Sequence, residues 1–216
     1  MRTRVKSQRA SLLGLLRTGE LGPLKLGLSM MAVSNLLGPP TWWMEGGSDD
    51  AHVPLLWGYG RYLEVLFNPA QPYEVISIKL TALPPSGASY FRGGKIAVSA
   101  DGFAEGMRLS DFLRKPIWQS SEHISIGVCE PVSSYPVIDI CTTKVRLVWC
   151  MSTVGEDAFE KQVEAGMSDA VLTRSRDVLS DGFFGIRSTA RPREDRFPSD
   201  GFADFSRDEY LARVGD

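Results

Sequence analysis

Arg61-Tyr62-Leu63-Glu64-Val65-Leu66-Phe67-Asn68-Pro69 and, after a short break, Tyr73-Glu74-Val75-Ile76-Ser77-Ile78-Lys79-Leu80-Thr81-Ala82-Leu83 form the stretch that decides the fold. Leu63, Val65 and Phe67 alternate with Tyr62, Glu64 and Leu66, the two-residue period of a strand with one buried face. Asn68-Pro69 opens a turn. In the second run Ile76, Ile78 and Leu80 share one side while Ser77 and Lys79 take the other. The two runs therefore predict an antiparallel pair with one wet face.

Upstream, Leu12, Leu13, Leu15 and Leu16 form an amphipathic stripe within residues 8–17, and Gly19 to Pro23 break it. Ser29 is placed to cap a second helix. Val33, Leu36 and Leu37 have the i, i+3, i+4 spacing of its buried face, and Gly38-Pro39-Pro40 stops it. Residues 44–54, rich in Gly, Ser and Asp, read as a loop. Gly58-Tyr59-Gly60 superficially matches a phosphate-cradling glycine pair, but a strand pattern follows it where such a loop needs a helix N-terminus.

Downstream of Pro84-Pro85-Ser86-Gly87 a strand is expected at Lys95–Ser99. Ser110 is placed to cap a short segment holding Phe112 and Leu113, and β runs cover 124–128, 137–140 and 145–149. Leu26-Gly27-Leu28-Ser29 and Glu105-Gly106-Met107-Arg108-Leu109-Ser110 are alike enough to suggest a divergent internal repeat. The expected fold is thus α+β, two helix-plus-antiparallel-sheet units over residues 1–84 and 85–150, followed by a charged, partly helical tail over 151–216. That tail carries 14 acidic and 9 basic residues, against 12 and 15 before it. Its helices are expected at 156–166, 168–179 and 207–213, the last behind a Ser206/Glu209 capping box. Arg187 to Asp200, rich in charge, Pro and Ser, is expected to be poorly ordered.

With 24 basic and 26 acidic side chains among 216 residues, the chain lacks the basic excess of a nucleic-acid binder. No apolar run approaches the roughly 20 residues of a membrane span. Arg2, Arg4, Lys6 and Arg9 precede a short apolar run, as in a leader peptide, but that run is too short and no cleavage site follows. Three cysteines suit a reducing compartment, so a cytoplasmic location is expected.

Candidate chemistry is sparse. His123, Cys129, Cys141 and Cys150 are metal-ligand types, yet no two share the spacing of a tight metal turn, so neither metal nor cofactor is expected. The alternative enzyme reading takes Cys129 or Cys141 as nucleophile and His123 as base. Asp49, Asp50 and His52 are acid-base types in a solvated loop. A more informative group is the crowd of Trp42, Trp43, Trp57, Tyr59 and Tyr62 with Arg61, the residue types that dominate protein interfaces, rimmed by Glu45, Asp49 and Asp50. Core packing is the competing explanation for these aromatics.

Leu21-Gly22-Pro23-Leu24-Lys25-Leu26-Gly27-Leu28-Ser29, Val33, Leu36-Leu37-Gly38-Pro39-Pro40, Trp57-Gly58-Tyr59-Gly60 and Leu63-Glu64-Val65-Leu66-Phe67 together resemble a bacterial pattern spanning roughly residues 10–114. It is similar to that of the outer-membrane assembly lipoprotein BamE and the tandem-repeat β-lactamase inhibitory protein, and of immunity proteins that neutralise toxins. The resemblance implies the two-unit fold and a non-enzymatic role: a protein that occludes a toxin or enzyme partner. It supplies no catalytic residue. A structural subunit tethered through residues 187–205 is the other non-enzymatic alternative.

Overall fold

The computed structural model describes residues 8–46, 53–118, 123–129, 137–150, 183–190 and 202–214. A short strand, β1 (Gln8–Ser11), runs directly into α1 (Leu12–Thr18), whose first turn is capped by Ser11 Oγ accepting from Gly14 N. Gly19, at φ 74°, closes that helix in the left-handed conformation that glycine adopts freely. The helix α2 (Met30–Leu37) is built as expected: Ser29 Oγ accepts from Ala32 N, Val33 and Leu37 are buried, and Gly38 caps the C-terminus.

Then come β2 (Trp42–Gly46), β3 (Val53–Tyr59), β4 (Leu63–Phe67), β5 (Val75–Leu80), β6 (Tyr90–Gly93) and β7 (Ile96–Ser99). The next helix, α3 (Leu109–Arg114), precedes β8 (Ser125–Cys129), β9 (Val137–Cys141) and β10 (Val145–Cys150). Last are β11 (Phe183–Thr189), β12 (Phe202–Ser206) and α4 (Arg207–Val214).

The expected α+β repeat architecture is not what forms. Nine strands make one antiparallel sheet in the order β12-β8-β9-β10-β11-β5-β4-β3-β2, and β1-β7-β6 make a second, three-stranded sheet. The four helices among the described residues are only six to eight residues long. The expected tail is itself part of the large sheet: β11 lies between β10 and β5, joining strands of both expected units, and β12 pairs with β8. The likeness of residues 26–29 to 105–108 is confined to a turn before a helix, with Gly27 and Gly106 both near φ 78°. Arg108, not Ser110, occupies the N-cap of α3 and makes no side-chain cap bond.

Cross-strand register explains the core. Leu63, Val65, Ile78, Leu80, Ile186, Leu147, Ile140 and Ile126 line up across β4, β5, β11, β10, β9 and β8, and all are buried. A one-residue slip of any of these strands would turn its apolar row to the opposite face, at about 1.5–3 kcal/mol per side chain exposed. Leu12, Leu15 and Leu16 of α1 and Leu109, Phe112 and Leu113 of α3 join the same cluster. Trp118 Nε1 donates to Leu16 O at 3.1 Å, and Arg17 donates to the carbonyls of Pro116 and Ile117, tying α1 to the segment after α3.

The small sheet presses its β6–β7 turn against β4, where a Cβ on Gly93 would come within 2.7 Å of Leu63 Cδ2. Asp101, at φ 52°, fastens that sheet to α1: Oδ2 accepts from Ser11 Oγ (2.6 Å) and Leu13 N (2.8 Å), and Oδ1 from Ser99 Oγ (2.7 Å).

On the other face of the large sheet Glu64, Lys79, Arg187 and Arg146 stand opposite one another on four adjacent strands. Glu64 pairs with Lys79 at 3.2 Å, Asp139 with Arg146 at 3.2 Å in a buried ion pair, and Arg187 Nε donates to Ser77 Oγ at 2.7 Å. Among the described residues no helix is long and apolar enough to cross a membrane.

Candidate protein-binding edge

Strand β2 is the last strand of the large sheet, with β3 on one side and no neighbour on the other among the described strands. Thr41 sets its start. Its N–H and Oγ1 both donate to Gly58 O (2.8 and 2.9 Å), and Oγ1 also accepts from Gly60 N at 2.9 Å. Antiparallel pairing then matches Trp42 with Gly58, Trp43 with Trp57 and Met44 with Leu56. A register shift follows between Met44 and Glu45, so that Glu45 lies opposite Pro54 and Leu55 becomes the extra residue of β3.

This geometry leaves apolar side chains on both faces of an edge. Trp42 is 36 % exposed, Trp43 58 % and Met44 59 %. Trp42 lies flat across Gly58: a Cβ there would fall 1.9 Å from indole Cε2, so the glycine is what admits the ring. Trp42 Nε1 donates to Gly60 O at 3.3 Å. Free edges in soluble proteins are ordinarily guarded by charge, proline or a cover, because an open apolar edge recruits other chains. Here Glu45, also exposed, is the one charged side chain of the five in β2.

The aromatic group expected from the sequence divides by place in the sheet, those on β3 being covered and Trp43, opposite Trp57 on the edge strand, exposed. Trp57 and Tyr59 point into the core, 8 % and 1 % exposed. Trp57 packs edge-on to Phe67 with ring centroids 4.9 Å apart. Tyr59 Oη donates to Gly38 O at 3.2 Å and braces the end of α2, and burial pushes its phenol well above the usual range. Tyr62 packs against Phe91, with Arg61 stacked on its ring at 5.0 Å and ion-paired to Glu105 at 3.0 Å. Asp49 and Asp50 lie outside the described residues. Met44 was not expected at this surface; its signal was the run Trp42-Trp43-Met44, apolar at consecutive positions with no polar alternation.

Of the residues in the enzyme alternative, Cys141 is buried at 1 % exposure within β9, whereas His123 stands exposed just before β8. The side chains of Cys129 and Cys150 are outside the described set. No group of three or more His, Cys, Asp or Glu among the described residues could hold a metal ion. The chain matches no family model, no curated protein and no solved structure.

Proposed function

We propose that this chain is a protein-binding module that docks its partner on the β2 edge through Trp43, Met44 and the exposed side of Trp42. One observation carries the reading: Trp43 and Met44, each more than half exposed, stand at consecutive positions on opposite faces of a strand whose outer edge has no neighbour among the described strands. A partner strand or loop laid along β2 would gain backbone hydrogen bonds from the edge and apolar contacts from both faces. Tryptophan and methionine are enriched at interfaces, and tryptophan carries a large share of binding energy where it is desolvated. Glu45 supplies an acidic rim that favours a basic partner surface. The motif similar to those of inhibitory and immunity proteins directs the proposal to a toxin or enzyme domain as the occluded partner.

The test is affinity purification of the full chain from its native host beside a Trp43→Lys–Met44→Lys variant shown by circular dichroism to be folded. A stoichiometric partner recovered with the native chain and lost with the variant supports the reading. Identical recovery with both proteins refutes it.

A further inference from the structure

We infer that the outer face of the three-stranded sheet is a groove that binds a phosphate group carried on a small ligand. The registers Arg9↔Ala97↔Arg92 and Ser11↔Ser99↔Tyr90 arrange its side chains in two cross-strand rows. Phe91, Ile96 and Val98 take the inner face and are buried, so alternation sends Arg9, Arg92 and Tyr90 outward. There they line, with Ala97, Ser89 and Ser99, a groove of about 770 Å³, within the size range of small-molecule sites.

Two strand spacings separate the backbones of Arg9 and Arg92 by about 10 Å, with only the methyl of Ala97 between them. Two guanidiniums can therefore converge over that methyl on one anion, each offering a planar fork of donors.

Among the described residues, these two arginines differ from the others in their contacts. Arg61, Arg114 and Arg146 each have a carboxylate within 4 Å. Arg17, Arg187 and Arg207 donate to carbonyl or hydroxyl oxygens, and Arg213 lies over the Phe205 ring. Among the described residues Arg9 and Arg92 have no such contact, and neither does the phenol of Tyr90, 62 % exposed. A second cleft, of about 720 Å³ beside α3, differs in just this respect, because its Asp111 and Glu105 are already paired with Arg114 and Arg61.

The groove also has polar groups beyond the arginines. Ser99 Oγ donates to Asp101 Oδ1 at 2.7 Å, so a carboxylate backs the Ser99 row and an anion belongs at the arginine row. Tyr90, two residues along β6 from Arg92, offers its ring to a planar group about 7 Å from that anion.

The experiment is isothermal titration calorimetry of the full chain at low salt with inorganic phosphate, ADP and adenosine, beside Arg9→Gln–Arg92→Gln and Tyr90→Ala variants. Circular dichroism melts check that each variant folds; all three side chains are exposed, so the melts should match. Expected is ADP binding that the double variant weakens at least tenfold, with Tyr90→Ala weakening ADP and sparing phosphate. Phosphate binding lost in the double variant, with no gain from ADP, also upholds the site and assigns free phosphate as its ligand. No binding of phosphate or ADP, or binding unchanged in the folded double variant, overturns the inference. None of these outcomes depends on β2.

Discussion

Replacing Gly58 by alanine tests the packing of Trp42, because the new methyl would occupy space that the indole now fills. Its Cβ would lie 1.9 Å from Cε2 and 2.3 Å from both Cζ2 and Nε1, well inside any real contact. The ring would have to retreat by about 1 Å or more, and Trp42 Nε1 would lose its bond to Gly60 O. Trp42 is 36 % exposed, which leaves about two thirds of its surface covered. At roughly 200 Å² per side chain and about 25 cal/mol per Å², expelling the ring completely would cost at most about 3 kcal/mol. Alanine returns about 0.5–1 kcal/mol, since it suits strand backbone better than glycine.

The expected net destabilisation is therefore about 1–2 kcal/mol, measured as a shift in the urea midpoint by circular dichroism, with a red shift in tryptophan emission. Coupling to the ring is the decisive feature. In a Trp42→Ala background the same substitution should be neutral or slightly stabilising, giving an interaction energy of at least about 1 kcal/mol in the double-mutant cycle. Equal cost in both backgrounds would refute the close packing of Trp42 on Gly58.

Two further substitutions probe the supports of the fold. Burial raises the Asp101 carboxyl, but hydrogen bonds from Ser11, Leu13, Ser99 and Leu12 outweigh it and leave its pKa below the ordinary value. Its contribution is thus present above the unfolded-state pKa near 4 and disappears as pH falls through the lower folded-state value. Asp101→Asn, which tolerates the same left-handed backbone, should cost about 1 kcal/mol at pH 7 and less below pH 4; a cost independent of pH would count against this. Asp139→Ala should destabilise by about 3 kcal/mol or more, since it strips a fully buried carboxylate from the Arg146 guanidinium, and a loss under 1 kcal/mol by urea denaturation would show that the pair carries little.

Some of this architecture was legible in the sequence. The helix at 30–37 was readable because three independent signals agree: the Ser29 cap, the spacing of Val33 and Leu37, and Gly38-Pro39-Pro40. The pairing of β4 with β5 was readable from alternation, as were the inward Leu63, Val65, Phe67, Ile78 and Leu80; Ile76 alone was placed on the wrong side. A register shift makes Ile76 the extra residue, 41 % exposed, and buries Ser77 under Arg187. Periodicity has no means of anticipating a bulge. The Ser206/Glu209 capping box was legible for the same reason as α2, being local: each residue bonds the other's backbone N–H at about 3 Å.

Long-range pairing was not legible. Strand β11 has buried Ile186 and Ser188 alternating with Arg187, but its charged, Ser-rich neighbours gave it the composition of a tail, and only its place between β10 and β5 makes it a central strand. Strand β1 was hidden because Gln8–Ser11 pairs with a segment nearly 90 residues away and leads without a break into the leucine stripe. The helices expected at 156–166 and 168–179 lie outside the described residues. At the candidate site, Met44 and Glu45 read as the start of a loop because Trp42-Trp43-Met44-Glu45 lacks the apolar-polar alternation of a half-buried strand. That missing alternation is what leaves it apolar on both faces. Trp57 and Tyr59 match Trp43 in type and proximity, and only their place on β3, one strand in from the edge, buries them while Trp43, directly opposite Trp57, stays exposed.

The most direct test of the docking edge is amide hydrogen exchange of the full chain, free and saturated with the co-purifying partner, read over residues 42–46. The account predicts that amides of β2 pointing away from β3 exchange rapidly in the free protein and slow at least tenfold in the complex. Unchanged exchange over 42–46, with protection appearing only elsewhere on the chain, would contradict it.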